Sequence, residues 1–71
     1  MDHQQLEQLG DKLRGIGHRR RELVEQIFQE VQQGDQQSSR ELYEELSNIS
    51  DQAIEIMEQQ KQMFDEELQK M

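Results

Sequence analysis

Gln32-Gln33-Gly34-Asp35-Gln36-Gln37-Ser38-Ser39-Arg40-Glu41 is the stretch on which the fold turns. Gly34 can take the left-handed conformation that ends a helix. Ser38-Ser39-Arg40-Glu41 reads as a capping box, in which the Ser38 hydroxyl accepts an amide hydrogen bond three residues on and Glu41 reaches back. Asp35 offers an earlier cap and would place an acid at the positive end of the following helix. A stop followed by a start predicts two helices joined by a turn over residues 34–38. Proline is absent, so the alternative is one continuous helix with Gly34 in its interior, at a cost of about 1 kcal/mol. The paired glycine and caps favour the hairpin.

Outward from the turn, apolar residues recur at steps of three and four on both sides, the helix period. Upstream the stripe runs Leu6, Leu9, Leu13, Ile16, Leu23, Ile27 and Val31, with Val24 and Phe28 widening it. Arg20 falls where the next core residue is due. Downstream it runs Leu42, Leu46, Ile49, Ala53, Ile56 or Met57, Phe64, Leu68 and Met71. Leu46, Met57 and Leu68 are eleven residues apart, a spacing that argues against a long strict left-handed supercoil. The expected bounds are helix 1 over residues 4–33 and helix 2 over residues 39–69. Gly10, Gly15 and Gly17 would together cost helix 1 about 2–3 kcal/mol relative to alanine. A bend at residues 15–17 is therefore a second reading of that segment.

The composition sets the limits. The chain has 71 residues, of which 31% are hydrophobic and 34% charged, with no cysteine. Fourteen glutamines add polarity without charge. A chain this short is marginal as a monomer, and neither disulfides nor cysteine–zinc sites are available to staple it. The expected architecture is all-α: an antiparallel helical hairpin assembling as a dimeric four-helix bundle or coiled coil. No segment approaches the roughly 18 apolar residues of a membrane span. Nothing at the N-terminus resembles a signal peptide, so the expected location is the cytoplasm and no membrane partner is expected. The net charge of −8 is uneven: residues 1–34 hold six acids and five bases, residues 35–71 ten acids and three bases.

The motifs argue for binding rather than catalysis. Arg19-Arg20-Arg21, near Lys12, Arg14 and His18, forms a basic knot. It could contact phosphates, pair with carboxylates or meet an acidic partner protein. In an antiparallel hairpin residues 18–21 lie opposite residues 50–56, so Asp51 and Glu55 are the expected partners. The overall acidity disfavours nucleic acid. No histidine lies three residues after a glutamate, as a di-metal bundle would want. Gly15-Ile16-Gly17 lacks the spacing of a phosphate loop, and Ser38 and Ser39 have no histidine base. No cofactor, metal or catalytic residue is expected. Met57, Met63 and Met71 with Phe64 form a soft row suited to gripping a helix or packing a core. Tyr43 is expected to close the turn end of the core, and Gln60 is a candidate for the helix seam.

Two small-hairpin families share features with the chain. Leu6-Glu7-Gln8-Leu9, the mid-chain Gly34 and Ala53-Ile54 resemble the hairpin co-chaperones of type III secretion. That resemblance implies a hairpin holding a needle subunit and another chaperone. Ser39-Arg40-Glu41-Leu42-Tyr43 faintly resembles the Ser-Gln-Glu-Leu-Asp motif of the small aspartyl-phosphate phosphatases of sporulation control. Tyr43 replaces that family's aspartate and Arg40 its glutamine, which removes the basis for the activity. Neither resemblance assigns a family. The expected function is that of a small non-enzymatic protein-binding adaptor, regulator or chaperone that self-associates, as half of an assembly. Its expected surface is Leu46, Ile49, Ala53, Ile56, Met57, Phe64 and Leu68, with Arg19, Arg20 and Arg21 adding charged contacts. The alternative is a nucleic-acid-binding hairpin dimer using Arg19–Arg21.

Overall fold

The structure, a computed structural model, describes residues 2–71. Two helices account for nearly all of them: α1, His3–Gln32, and α2, Gln36–Gln69. They run antiparallel as a hairpin 55 × 16 × 13 Å in extent. The helix α1 is continuous through Gly15 and Gly17, so of the two readings of this segment the unbroken helix is the one found. Helical hydrogen bonds on both sides and packing along α2 outweigh the glycine propensity cost in this stretch.

The turn is three residues long, and its N–H groups and the Asp35 side chain are all bonded. Gly34 has φ +79°. Its N–H donates to the Val31 carbonyl (3.1 Å), and the Asp35 N–H donates to the Glu30 carbonyl (2.9 Å). These two bonds form a Schellman motif. Asp35 then starts α2: its carboxylate accepts from the Ser38 N–H (3.0 Å) and the Ser38 hydroxyl (2.7 Å). Its carbonyl accepts from the Ser39 hydroxyl (2.8 Å). Asp35, not Ser38, is therefore the cap, and α2 begins three residues earlier than position 39. The capping box at Ser38 does not form because Ser38 already lies inside the first turn of α2, where the helix supplies the Glu41 N–H with its own backbone acceptor. At the other end Asp2 caps α1, its carboxylate accepting from the Gln4 and Gln5 N–H groups.

The helices meet along a seam with strict steps of three and four. On α1 it comprises Leu6, Leu9, Leu13, Ile16, Arg20, Leu23, Ile27 and Glu30; on α2, Leu42, Leu46, Ile49, Ala53, Ile56, Gln60, Met63 and Glu67. All are buried or half-buried except Arg20. Leu23 is fully buried, and Leu9 and Ala53 nearly so. The eleven-residue drift is thus not followed: the seam takes Ile56, Gln60 and Met63, and leaves out Met57, Phe64 and Leu68. Upstream it takes Glu30 rather than Val31, which is 60% exposed. Tyr43 is 62% exposed and does not close the core.

The core is thin. A compact chain of this length would have a radius of gyration of about 11 Å, whereas the hairpin has 16.4 Å. Its accessible surface is 5826 Å², against roughly 4,650 Å² for a compact protein of the same mass.

Two predictions follow from the turn and seam. Leu23→Ala removes the one fully buried large side chain and should cost about 2–5 kcal/mol, read as loss of helical circular dichroism on mild heating. Asp35 has its carboxyl held below the ordinary carboxylate range, first by the Ser38 N–H and then by the Ser38 hydroxyl. The folded chain therefore holds the Asp35 proton less tightly than the unfolded chain. The stabilisation is present at neutral pH and is lost as pH falls through the lowered folded value. Asp35→Ala should lower the melting temperature at pH 7, and the gap to the parent should close in strong acid. A gap independent of pH would show that the carboxylate is not the capping group.

Candidate functional site

Neighbouring residues on a helix are rotated by about 100°. Seen from one end, antiparallel helices turn in opposite senses. The residues one step after each seam position therefore fall on the same side of the hairpin in both helices, and those one step before fall together on the other. Surface depressions bear this out. Val31 and Arg40 line one beside the turn, while Lys12, Arg19, Gln52 and Gln59 line another on the opposite side.

The two sides differ sharply. The side one step before the seam is polar or glycine at every position, with Gln26, Gln29, Glu41 and Glu45 around a shared depression near the turn. The side one step after the seam holds all the exposed large hydrophobic residues of the two helices. On α1 these are Val24, Phe28 and Val31; on α2 they are Tyr43, Ile54, Met57, Phe64 and Leu68, and Met71 is exposed beyond the end of α2. This apolar side also carries Arg14, Arg21, Arg40 and Lys61 but only one acid, Glu7. Half of the eight bases and one of the sixteen acids thus lie there, in a chain whose net charge is −8.

The expected surface residues divide accordingly. Leu46, Ile49, Ala53 and Ile56 belong to the internal seam and are covered by α1. Met57, Phe64 and Leu68 stand on the apolar side, 48%, 47% and 66% exposed. Val24, Phe28, Val31, Ile54 and Tyr43 share that side and were not among the expected surface residues. The signal for them was a second apolar line displaced by one residue from the seam.

The basic knot is dispersed rather than gathered, because three consecutive helical residues point in three directions. Arg19 lies on the polar side. Its Nε donates to Glu45 across the hairpin (2.6 Å) and its Nη1 to Glu22 on its own helix (3.2 Å). The Glu45 carboxyl is lowered by this hydrogen bond, and the Arg19 guanidinium is correspondingly raised. Arg20 occupies the seam position, and its Nε donates to the Ser50 hydroxyl (2.9 Å). Arg21 turns to the apolar side. The expected partners Asp51 and Glu55 are not used. Glu45 lies on the side to which Arg19 points, whereas Asp51 lies on the outer back of α2.

Other surface pairs are local. Lys61 donates to Asp65 (2.7 Å), and this bond raises the lysine; Arg14 lies 3.9 Å from Asp11. Among the described residues no cluster of three or more His, Asp or Glu could hold a metal ion. No helix is long and apolar enough to cross a membrane. The distinctive feature is therefore a surface, apolar with a basic edge, on one side of a hairpin that is polar on the other. Comparisons with protein-family models, with curated proteins and with solved structures find no match for this chain.

Proposed function

We propose that the chain is a small non-enzymatic protein-binding hairpin, an adaptor, regulator or chaperone, that docks its apolar side against helices of another chain. The observation that carries this reading is the segregation of the eight exposed large hydrophobic residues on the two helices to one side. Scattered apolar residues are normal on a protein surface, but a continuous patch marks an interaction site. Two antiparallel helices with an uncovered apolar side lack the second layer that domains ordinarily use to bury such a surface. Helices laid across that side would complete a four-helix arrangement of the kind expected from the sequence. Methionine and phenylalanine on the surface suit a partner of helical shape. The dispersal of Arg19, Arg20 and Arg21 around α1 gives no shared phosphate-binding edge, so the nucleic-acid reading gains nothing from the geometry.

The test is capture of interacting proteins by the full-length chain, compared across variants. Ile54→Glu and Met57→Glu place charge on the apolar side, and Gln52→Glu places it on the polar side. The first two are expected to abolish binding at unchanged helical circular dichroism, while Gln52→Glu keeps it. A bound protein indifferent to Ile54→Glu and Met57→Glu would count against the apolar side as the docking surface.

A further inference from the structure

The apolar side has a shape that the isolated hairpin does not explain. Its bulky residues follow one diagonal: Val24, Phe28 and Val31 on α1 near the turn, then Ile54, Met57 and Phe64 on α2 towards the open end. Small residues follow the other: Gly10 and Gly17 on α1 near the open end, Ser47 and Ser50 on α2 near the turn. Tyr43 is the large apolar exception on this diagonal, and Glu7, Arg14, Arg21 and Arg40 are the charged side chains that alternate with the small ones. Glycines within a helix carry a propensity cost of about 1 kcal/mol each. Yet a Cβ at Gly10 or Gly17 would meet nothing within 4 Å. Packing within the hairpin does not require glycine at either position.

We propose that the occupant of the apolar side is a second copy of this chain, related by a two-fold axis parallel to the helices, so that turn lies beside turn and α1 of one copy packs on α2 of the other. This rests on the reading of the apolar side as a docking surface and names what covers it. An isologous interface must be self-complementary. A two-fold in the plane of contact carries each diagonal of the surface onto the other. The bulky diagonal of one copy then lies over the small diagonal of its mate, and Gly10 and Gly17 leave room for the row containing Ile54 and Met57.

Charge selects the parallel axis. Arg20 and Ser50 lie level in the hairpin, and counting outward from them gives the facing residues. With turn beside turn, Lys61 of one copy comes near Glu7 of the other, the one acid on this side, while Arg14 and Arg21 face the α2 levels of Ile56 and Ile49 and stay clear of each other. A two-fold perpendicular to the helices, at full overlap, would instead set Arg14 against Arg21 and Lys61 beside Arg40. The size also fits. The paired length of α1 is about 45 Å, and with the 16 Å width the footprint is about 700 Å². Stable protein interfaces bury about 800 Å² per partner.

Sedimentation or light scattering of the full chain should give twice the 8.5 kDa chain mass. Gly10→Leu and Gly17→Leu favour helix and have open space in the single hairpin, so helicity should be kept or increased. In the dimer they collide with the opposing ridge and should weaken association by roughly ten- to a hundredfold. Spin labels on Gln33→Cys should lie within about 25 Å of each other with turn beside turn, against about 45 Å or more, a helix length, in the perpendicular arrangement. A helical monomer at all concentrations, or a dimer indifferent to both glycine variants, would overturn the pairing; the longer label distance would overturn its axis. A monomer that still captures another protein through Ile54 and Met57 would overturn self-pairing alone and leave the docking surface intact.

Discussion

A three-residue connection between two long helices leaves almost no freedom in how they lie together. Gly34 reverses the chain, the Asp35 N–H closes α1 on the Glu30 carbonyl, and the Asp35 side chain opens α2 on Ser38. One residue thus ends one helix and begins the next. Every later contact inherits its level from this reversal. Arg20 meets Ser50, Arg19 reaches Glu45, and Ile56 rather than Met57 enters the seam because the turn sets those residues at those heights and angles.

The seam that results is sufficient for a hairpin and little more. Only Leu9, Leu23 and Ala53 are buried; the other seam residues keep contact with water. Cross-helix polar contacts such as Arg19–Glu45 are only partly buried, and ion pairs this open to solvent contribute little to stability. Their value lies in register, since a slide by one turn would separate both Arg19 from Glu45 and Arg20 from Ser50. Most of the remaining apolar surface is not wasted at random. It is collected on one side, away from the acids that make up the rest of the exterior.

Much of this was legible in the residues themselves. The helix periods, the reversal at Gly34 and the hairpin follow from local chemistry. The choice of cap was less clear, because Asp35 and Ser38 are both good N-caps and only the geometry of a tight reversal decides between them. The division of the stripe on α2 was not legible. Ala53, Ile56, Gln60 and Met63 form one line at heptad spacing, and Ile54, Met57, Lys61 and Phe64 form another just one residue away. Periodicity within a single helix fits both. What separates them is which line faces α1, and that depends on contacts thirty or more residues distant. The same limit hid the placement of Val24 and Phe28 on the same side of the hairpin as Met57 and Phe64.

The glycines of α1 also give the hairpin a mechanical direction. Gly10, Gly15 and Gly17 all lie in the half of α1 remote from the turn, while the fully buried Leu23 lies in the other half and the doubly bonded Asp35 in the turn beyond it. Local opening follows such gradients of propensity and bonding. Opening is therefore expected to begin at the free ends, with the bonded turn at Gly34 acting as the spring of a pair of tweezers. A helix laid across the open end would then meet arms that can yield without the hairpin losing its reversal.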